Sequence, residues 1–292
     1  MVVKRAAVLG QCMGVRRAAG LALATARAEG TAGAGAEAVR RVYTLGPLIH
    51  NPQAVAELEA AGVFAISEAE LDGRVHDAAV VLRAHGVPPA LKERLEALGA
   101  RIVDATCPRV LASQRKAAGY AARGWKVVIA GDAGHGEVVG IAGHAPGASV
   151  VGGPEDAERV DAEGRPVALI AQTTIRKEEY AAIREVLERR FPGLEVVESI
   201  CPCTEDRLAA VADLAREVEA VVIVGGRNSA NTARLLGAAR EIAGAAWLVE
   251  TAAELPDEAF GYASVGLSAG ASTPERLVDE VEAALYRGRG SV

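Results

Sequence analysis

Three cysteines at nearly equal intervals are the feature that most constrains how this chain folds. Cys12, Cys107 and Cys201 are separated by 95 and 94 residues, and 91 residues follow the last of them. Each cysteine ends a short apolar segment, which predicts three strands with a cysteine at the carboxyl end. Such regular spacing is the signature of an internal repeat. We therefore expect three similar units instead of the two ordinary domains that 292 residues would suggest.

The segments between the cysteines repeat one order of elements. Each cysteine precedes a helical pattern, and a β-branched strand that ends in glycine comes next. A polar loop, a further short strand, a buried strand and a closing helix complete the unit. The first helices are predicted at 14–29, 110–124 and 207–219, and the β-branched strands at 42–46, 126–131 and 220–225. The third unit lacks its last strand, and we predict that the N-terminal segment 6–12 supplies it.

This pattern predicts an α/β fold. Strands that are apolar throughout and alternate with helices form parallel sheets covered on both faces. We expect a trefoil of three small α/β units related by a pseudo-threefold axis, with parallel-rich sheets around a central site. The predicted units are 13–106, 107–200, and 201–292 together with 1–12. Ligands of such sheets bind at the carboxyl ends of the strands, so the three cysteines are expected to converge.

Composition and charge exclude several classes of protein. The formal net charge of −6 argues against a nucleic-acid or anionic-membrane binder, and 3% aromatic residues argue against base stacking. No apolar run is long enough for a membrane span, and Arg16 and Arg17 interrupt the N-terminal apolar stretch before it resembles a signal peptide. Four cysteines are too few for a secreted disulfide scaffold, so we expect a cytoplasmic protein.

Three distant cysteines leave several kinds of site open. Zinc ribbons and fingers use local cysteine pairs, which these cysteines do not form. Soft sulfur ligands suit an iron–sulfur cluster, and a cubane held by three cysteines leaves one iron open to a substrate. Zinc and unliganded structural cysteines remain alternatives. Cys203 falls outside the repeat, and it is either a fourth ligand that closes a zinc site or an unliganded thiol.

Polar residues at the predicted strand ends suggest an anion site. Histidine, hydroxyl and amide side chains together with helix N-termini suit an oxyanion such as a phosphate, although the same residue types also cap helices. Glu137 is the one acid among these loops and is a candidate proton donor, with an exposed helix cap as the alternative. The residues at these ends are His50, His85, His135, 172–174, 228–231 and 268–272.

The motifs resemble the LytB family of 4-hydroxy-3-methylbut-2-enyl diphosphate reductases. The resemblance extends over about residues 4 to 285, and the order and spacing of its motifs make it specific. The matching motifs are CMGVRRA from Cys12, TLGPLIHNPQ from Thr44, AHGV from Ala84, DATCP from Asp104, AGHGEV from Ala133, QTT from Gln172, IC from Ile200, NSAN from Asn228 and AGAS from Ala269.

This resemblance implies a reductase of the non-mevalonate isoprenoid pathway. It implies a [4Fe–4S] cluster held by Cys12, Cys107 and Cys201, whose open iron binds the substrate hydroxyl group. Two electrons and two protons then remove this oxygen as water and give isopentenyl and dimethylallyl diphosphate. Glu137 is implied as the proton source, with Thr173 and His135 as its helpers. The implied clamp for the diphosphate contains His50, His85, Ser229, Asn231 and Ser272, with His135 and Thr173 also at the substrate.

Several positions depart from the family pattern. Gln11 replaces the common Phe, Gly136 replaces the Pro of HPE, and Ala230 replaces the second serine of SSN. After Cys201, Cys203 and Leu208 replace the usual Ala and Gln. These changes leave open a related [4Fe–4S] reductase with another substrate, while a metal-bearing sensor without catalytic activity is a further alternative. No flavin or nicotinamide motif is present, so we expect electrons from a separate ferredoxin or flavodoxin.

Overall fold

The computed structural model describes residues 1–32, 41–49 and 51–288. Within them, twelve strands alternate with ten α-helices. The strands are β1 Val2–Arg5, β2 Val42–Leu45, β3 Val63–Ile66, β4 Ala79–Leu82, β5 Arg101–Asp104, β6 Lys126–Ala130, β7 Ser149–Val151, β8 Val167–Ala171, β9 Glu195–Val197, β10 Ala220–Val224, β11 Ala245–Val249 and β12 Ser264–Ala269. The helices are α1 Met13–Ala32, α2 Pro52–Ala60, α3 Pro89–Ala97, α4 Pro108–Ala122, α5 Gly136–Gly143, α6 Pro154–Glu158, α7 Lys177–Arg190, α8 Pro202–Glu217, α9 Ala230–Arg240 and α10 Glu275–Arg287.

The strands form three four-stranded sheets with the same topology. Their orders are β3-β2-β4-β5, β7-β6-β8-β9 and β11-β10-β12-β1. Every strand pair is parallel. The predicted α/β fold with parallel sheets is therefore confirmed, and so is the threefold repetition of the elements.

The N-terminal strand completes the third sheet, as the sequence predicted. β1 pairs with β12, with Val2 opposite Ser264. The predicted bounds of 6–12 were wrong, because the ladder begins at the β-branched pair Val2–Val3 and ends at Arg5. Beyond Arg5 the chain still follows β12 through more widely spaced hydrogen bonds, but Gly10 adopts a φ of 70°, which no regular strand contains.

Alternate residues of the central strands pack on opposite faces of their sheets. In β10, Val222 and Val224 pack with the α10 residues, whereas Val221 and Ile223 pack with residues of α8 and α9. β6 is arranged in the same way between α7 on one face and α4 and α5 on the other. Two covered faces explain why these strands are apolar at every position.

The chain separates into two compact units. The first contains Met1–Arg16, Ile49–Ala61 and the chain from Pro202 onward, and it holds the β11-β10-β12-β1 sheet. The second contains Arg17–Leu48 and Gly62–Cys201, with the other two sheets. The three domain bounds inferred from the repeat stay a prediction. Among the described helices, none combines the length and the apolar character that crossing a membrane requires.

Candidate functional site

The three cysteines of the repeat are held by equivalent backbone hydrogen bonds. Each cysteine donates its N–H to a carbonyl just beyond the strand that neighbours its own segment. The bonds are Cys12 to Ala271 at 3.0 Å, Cys107 to Ala84 at 3.0 Å and Cys201 to Thr173 at 2.7 Å. The sheet in each repeat therefore fixes the backbone of its cysteine in the same way.

Each of these cysteines also immediately precedes a helix. α1, α4 and α8 begin at Met13, Pro108 and Pro202, and all three thiols are half-buried. Cysteine sulfur is a soft ligand of the kind that iron–sulfur clusters take. The set of three thiols therefore fits an iron–sulfur cluster in its chemistry.

In the part of the chain that the structure describes, no three His, Cys, Asp or Glu side chains come close enough to hold one ion. The described residues also contain no disulfide, since all four cysteines are reduced. In a cubane cluster each cysteine binds a different iron, so the sulfur atoms need not meet at one point.

The Cys12 thiol contacts two hydrogen-bonding groups. The N–H of Val15 donates to Sγ at 3.5 Å, and the thiol of Cys203 is a further hydrogen-bonding neighbour. The hydrogen bond with Cys203 and the burial of the site raise the pKa of the Cys12 thiol well above its ordinary value. Binding of a metal must therefore displace a proton from this sulfur.

Arg207 holds Cys203 in place. Its guanidinium donates to Cys203 Sγ at 2.5 Å and to the carbonyl oxygen of Cys203 at 2.8 Å, and a second nitrogen donates to the Gly10 carbonyl at 2.7 Å. The residue is only 3% exposed. The sequence did not predict this contact, because the predicted helix began at Arg207, whereas α8 begins at Pro202 and places both residues on one face. The Cys-Pro pair was the available signal, since proline favours the first turn of a helix.

Glu137 is a buried carboxyl group held by one neighbouring residue. It is 1% exposed, and its two oxygens accept from Thr173, one from the backbone N–H at 2.6 Å and the other from Oγ1 at 2.8 Å. Burial raises the pKa of Glu137, and the two bonds from Thr173 oppose this shift. The alternative of an exposed cap is wrong. The arrangement suits a carboxyl group that stays protonated at higher pH than usual.

Two predicted histidines contact each other at the start of α5, where Glu137 lies. His135 is the N-cap of α5, and its Nδ1 accepts the N–H of Glu137 at 3.2 Å. A neutral imidazole that accepts at Nδ1 carries its proton on Nε2, so this nitrogen is a donor. The ring of His85 contacts the ring of His135 edge to face, with centroids 5.0 Å apart. The structure thus brings together four of the predicted residues: Glu137, Thr173, His135 and His85.

Gln172 fixes the loop that leads to His135. Its Oε1 accepts the N–H of Asp132 at 3.0 Å, and its Nε2 donates to Thr174 at 2.9 Å. A Cβ on Gly131 would lie 2.6 Å from this Oε1, so only glycine leaves room for the amide. The QTT motif singled out Gln172, but no spacing in the sequence indicated that its amide reaches Asp132.

Gly136 makes room for an arginine. A Cβ at this position would lie 2.5 Å from a terminal nitrogen of Arg83, so the guanidinium occupies the space where the usual proline would place its ring. Arg83 and Gly136 line a cavity of ≈ 300 Å³ together with Ser67 and Glu68. The departure from HPE is therefore accompanied by a cation beside the loop.

The predicted residues of the third repeat form a polar group of their own. Ser229 is the N-cap of α9 and accepts from Thr232 at 3.3 Å, and Ser272 is half-buried. The buried side-chain atoms that have no hydrogen-bond partner among the described residues include Asn231 Nδ2, Thr232 Oγ1 and Ser268 Oγ. Unsatisfied buried donors of this kind suit a polar ligand. The sequence did not single out Thr232, and His50 lies outside the described residues.

Comparisons with known proteins point to one family for this chain. A family profile described as LytB protein matches residues 3–286. A 4-hydroxy-3-methylbut-2-enyl diphosphate reductase of Treponema denticola is 46% identical over 297 residues, covering 99% of this chain and 100% of the relative. A reductase of the same name from Anaeromyxobacter is 42% identical and covers 96% of this chain and 95% of the relative.

Two solved structures share the fold. One, of (E)-4-hydroxy-3-methyl-but-2-enyl diphosphate reductase, the terminal enzyme of the non-mevalonate pathway, has a TM-score of 0.78 at 34% identity and covers 98% of this chain and 100% of that one. The other is an E-1-hydroxy-2-methyl-but-2-enyl-4-diphosphate reductase from Plasmodium falciparum, with a TM-score of 0.80. At 23% identity the second likeness concerns the fold alone. Since the family profile and full-length relatives agree with the motifs, this chain belongs to the LytB protein family.

Proposed function

We propose that this protein reduces 4-hydroxy-3-methylbut-2-enyl diphosphate to isopentenyl and dimethylallyl diphosphate. The C–O bond to the hydroxyl group breaks, a C–H bond forms, and two electrons and two protons are consumed with release of one water. The observation that carries this proposal is the buried Glu137 carboxyl group, held by Thr173 beside His135, in a chain with the three family cysteines.

Cys12, Cys107 and Cys201 are the proposed cluster ligands. When bound by these three thiolates, a [4Fe–4S] cluster supplies single electrons and an iron that is open to the substrate. The equivalent backbone anchors and the helix N-termini behind the cysteines support this assignment. The electrons are expected to come from a ferredoxin or flavodoxin.

Glu137 is the proposed proton donor. Desolvation raises the pKa of this carboxyl group, so it keeps its proton to higher pH than an exposed carboxyl group, which suits a general acid. The Thr173 hydroxyl donates to the ionised carboxylate and can rotate to accept from the protonated form, so both states stay hydrogen-bonded. His135, whose Nε2–H is a donor, and His85, whose ring contacts that of His135, are proposed to hold the diphosphate.

The remaining clamp residues come from other loops. Ser229, Asn231 and Ser272 supply hydroxyl and amide groups, and His50 is assigned by its motif alone. The unpartnered Asn231 Nδ2 supports a ligand at this position, because a buried donor without an acceptor is costly.

An anaerobic assay tests the function. Cluster-loaded protein is mixed with 4-hydroxy-3-methylbut-2-enyl diphosphate and reduced methyl viologen, and the two five-carbon diphosphates are quantified. We expect turnover by the natural chain and none by Cys107→Ser, which lacks one ligand. An intact cluster without turnover would instead favour a related reductase for another substrate, which the replacements Cys203, Ala230 and Leu208 suggest. A colourless protein with one zinc ion would contradict the cluster itself.

A further inference from the structure

Arg83 is a half-buried arginine with an unsatisfied hydrogen-bond donor. Its Nε is buried and has no hydrogen-bond partner among the described residues. Glu68 lines the same cavity, but no salt bridge within the described part of the chain joins the two side chains. A guanidinium carries five N–H donors, and a buried donor without an acceptor is costly. An anion in the cavity would supply the acceptor that this side chain lacks.

Arg83 occupies the position in its repeat that Gln172 occupies in the next. Both residues directly follow a central strand, β4 or β8, and in both cases the carbonyl of the following residue accepts from a cysteine N–H. The Gln172 amide accepts from Asp132 in the loop of its own repeat. The Nε of Arg83 makes no such bond within the described residues, so fixing a loop does not account for a guanidinium at this position.

The guanidinium lies where a parallel sheet binds its ligands. β2 pairs with β3 on one side and with β4 on the other, so the strand order reverses between β2 and β4. Such a reversal opens a crevice at the carboxyl ends of the two strands. Arg83 directly follows β4, and a Cβ on Gly46, which directly follows β2, would lie 3.2 Å from its Nη1. Arg83 therefore reaches across this crevice.

The cavity beside Arg83 has the size and the lining of a small ligand site. Its volume of ≈ 300 Å³ is at the lower end of the range for small-molecule pockets. Arg83 is the one cation among the described residues that line it, and the acid Glu68 is exposed, which weakens its attraction for the guanidinium. Apolar side chains form much of the remaining wall: Leu45, Val87, Leu91 and Val139.

The residues of this cavity differ from those of the proposed diphosphate clamp. None of the described clamp residues lines it. The cavity is lined instead by Gly134 and Gly136, which flank His135 in the chain. A Cβ on Gly136 would lie 2.5 Å from Nη2 of Arg83, so the absence of a side chain at this position leaves the guanidinium its place. A ligand here would contact the backbone of the loop.

We propose that the crevice between β2 and β4 is a second anion site, in which the Arg83 guanidinium binds a phosphate group. The planar fork of an arginine can donate two parallel hydrogen bonds to phosphate oxygens. The phosphate group is either free or part of a molecule with a short apolar chain, for which the apolar wall provides a surface. This site requires neither the cluster nor the activity proposed above.

Nuclear magnetic resonance of the Arg83 side chain tests the site directly. The Nε–H signal is assigned by its loss in Arg83→Gln. The isotope-labelled full chain is titrated with inorganic phosphate, with isopentenyl diphosphate, and with sodium chloride at equal ionic strength. We expect both phosphate compounds to move the signal saturably and sodium chloride to leave it in place. A lower Kd for isopentenyl diphosphate would identify an organic phosphate as the ligand, and equal values would identify free phosphate.

Variants on both sides of the cavity give opposite effects on the Kd. The backbone N–H of Gly136 is a second reporter, and in Arg83→Gln its Kd for phosphate should rise about tenfold or more, since a charged donor is lost. Glu68→Gln removes the opposing acid and should lower the Kd about threefold. Arg94→Gln is the matched control, because Arg94 is an exposed arginine of α3 outside the cavity, and its Kd should equal that of the natural chain.

The proposed clamp is tested as an alternative source of the signal. Asn231→Ala alters the clamp and should leave the movement of the Arg83 signal unchanged. Loss of this movement in Asn231→Ala would show that it is transmitted from the clamp, and this would overturn the second site. An Arg83 signal that neither phosphate compound moves, or that sodium chloride moves equally, would also overturn it. These results are independent of the reductase assay, so the proposed function and this inference can fail separately.

Discussion

At the scale of single residues, the site depends on how a carboxyl group is kept away from water. Glu137 is almost fully buried, and its partners among the described residues are both groups of Thr173. Burial penalises the charged form more than the two hydrogen bonds favour it, so the pKa rises. This carboxyl group therefore keeps its proton to higher pH than an exposed one.

Glu137→Gln should abolish most turnover while the cluster remains. The amide can accept the Thr173 N–H and donate to Oγ1, so we expect the local structure to persist. Loss of a general acid should lower kcat about 100-fold or more. The assay is the anaerobic one above, with the cluster absorbance as the control. Turnover within threefold of the natural chain would remove Glu137 from the mechanism.

The pH dependence follows from the same carboxyl group. Activity of the natural chain should fall as pH rises through the raised pKa of Glu137, because the carboxyl group loses the proton that it donates. A pKa above that of the unfolded chain also means that stability is lost as pH rises through the folded pKa. Glu137→Gln should show neither this fall in kcat nor this loss in the free energy of unfolding as pH rises. The measurements are kcat and urea denaturation, each at several pH values.

At the scale of the element, the β-branched strands were predictable, whereas the bounds of the N-terminal strand and the start of one helix were not. The β-branched runs at 42–46, 126–131 and 220–225 match β2, β6 and β10 within one residue, because two-sided burial leaves a clear apolar signal. α8 begins five residues before its predicted start, since its first turn carries polar residues instead of an apolar stripe. The contact between Arg207 and Cys203 depends on this turn, so it was missed together with the start of the helix.

Gly131→Ala should destabilise the end of β6. The new Cβ would lie 2.6 to 2.7 Å from Gln172 and 3.0 Å from Val138, and the Cβ of Gln172 cannot move without its strand. We expect a loss of about 1–3 kcal/mol in the free energy of unfolding. Gly134→Ala is the matched control, because its Cβ would meet only Asp132 at an ordinary 3.5 Å. Equal urea midpoints for the two variants would contradict this account.

At the scale of the whole molecule, one backbone arrangement is used three times. In each sheet the cysteine N–H bonds to the chain beyond the neighbouring strand, although the three segments share little sequence besides the cysteine. The spacing of the cysteines could therefore predict the repetition of the sheets. It could not predict the polar partners of each loop, such as Gln172 or Thr232, because these differ between repeats.

Binding of the cluster should stabilise the folded chain as a whole. A group that binds only the folded state raises the free energy of unfolding by mass action, and thiolate ligands are lost on unfolding. We expect removal of iron by a chelator without oxygen to lower Tm by several degrees, since 1 kcal/mol corresponds to about 2–4 °C in domains of 150–250 residues.

Cys107→Ser should show no difference in Tm between chelator-treated and untreated protein, because it lacks a ligand. Cys203→Ser should keep the full difference, because Cys203 is not one of the three proposed ligands. The measurement is thermal unfolding at one scan rate, and a Tm that is the same with and without iron in the natural chain would show that the three cysteines bind no cluster.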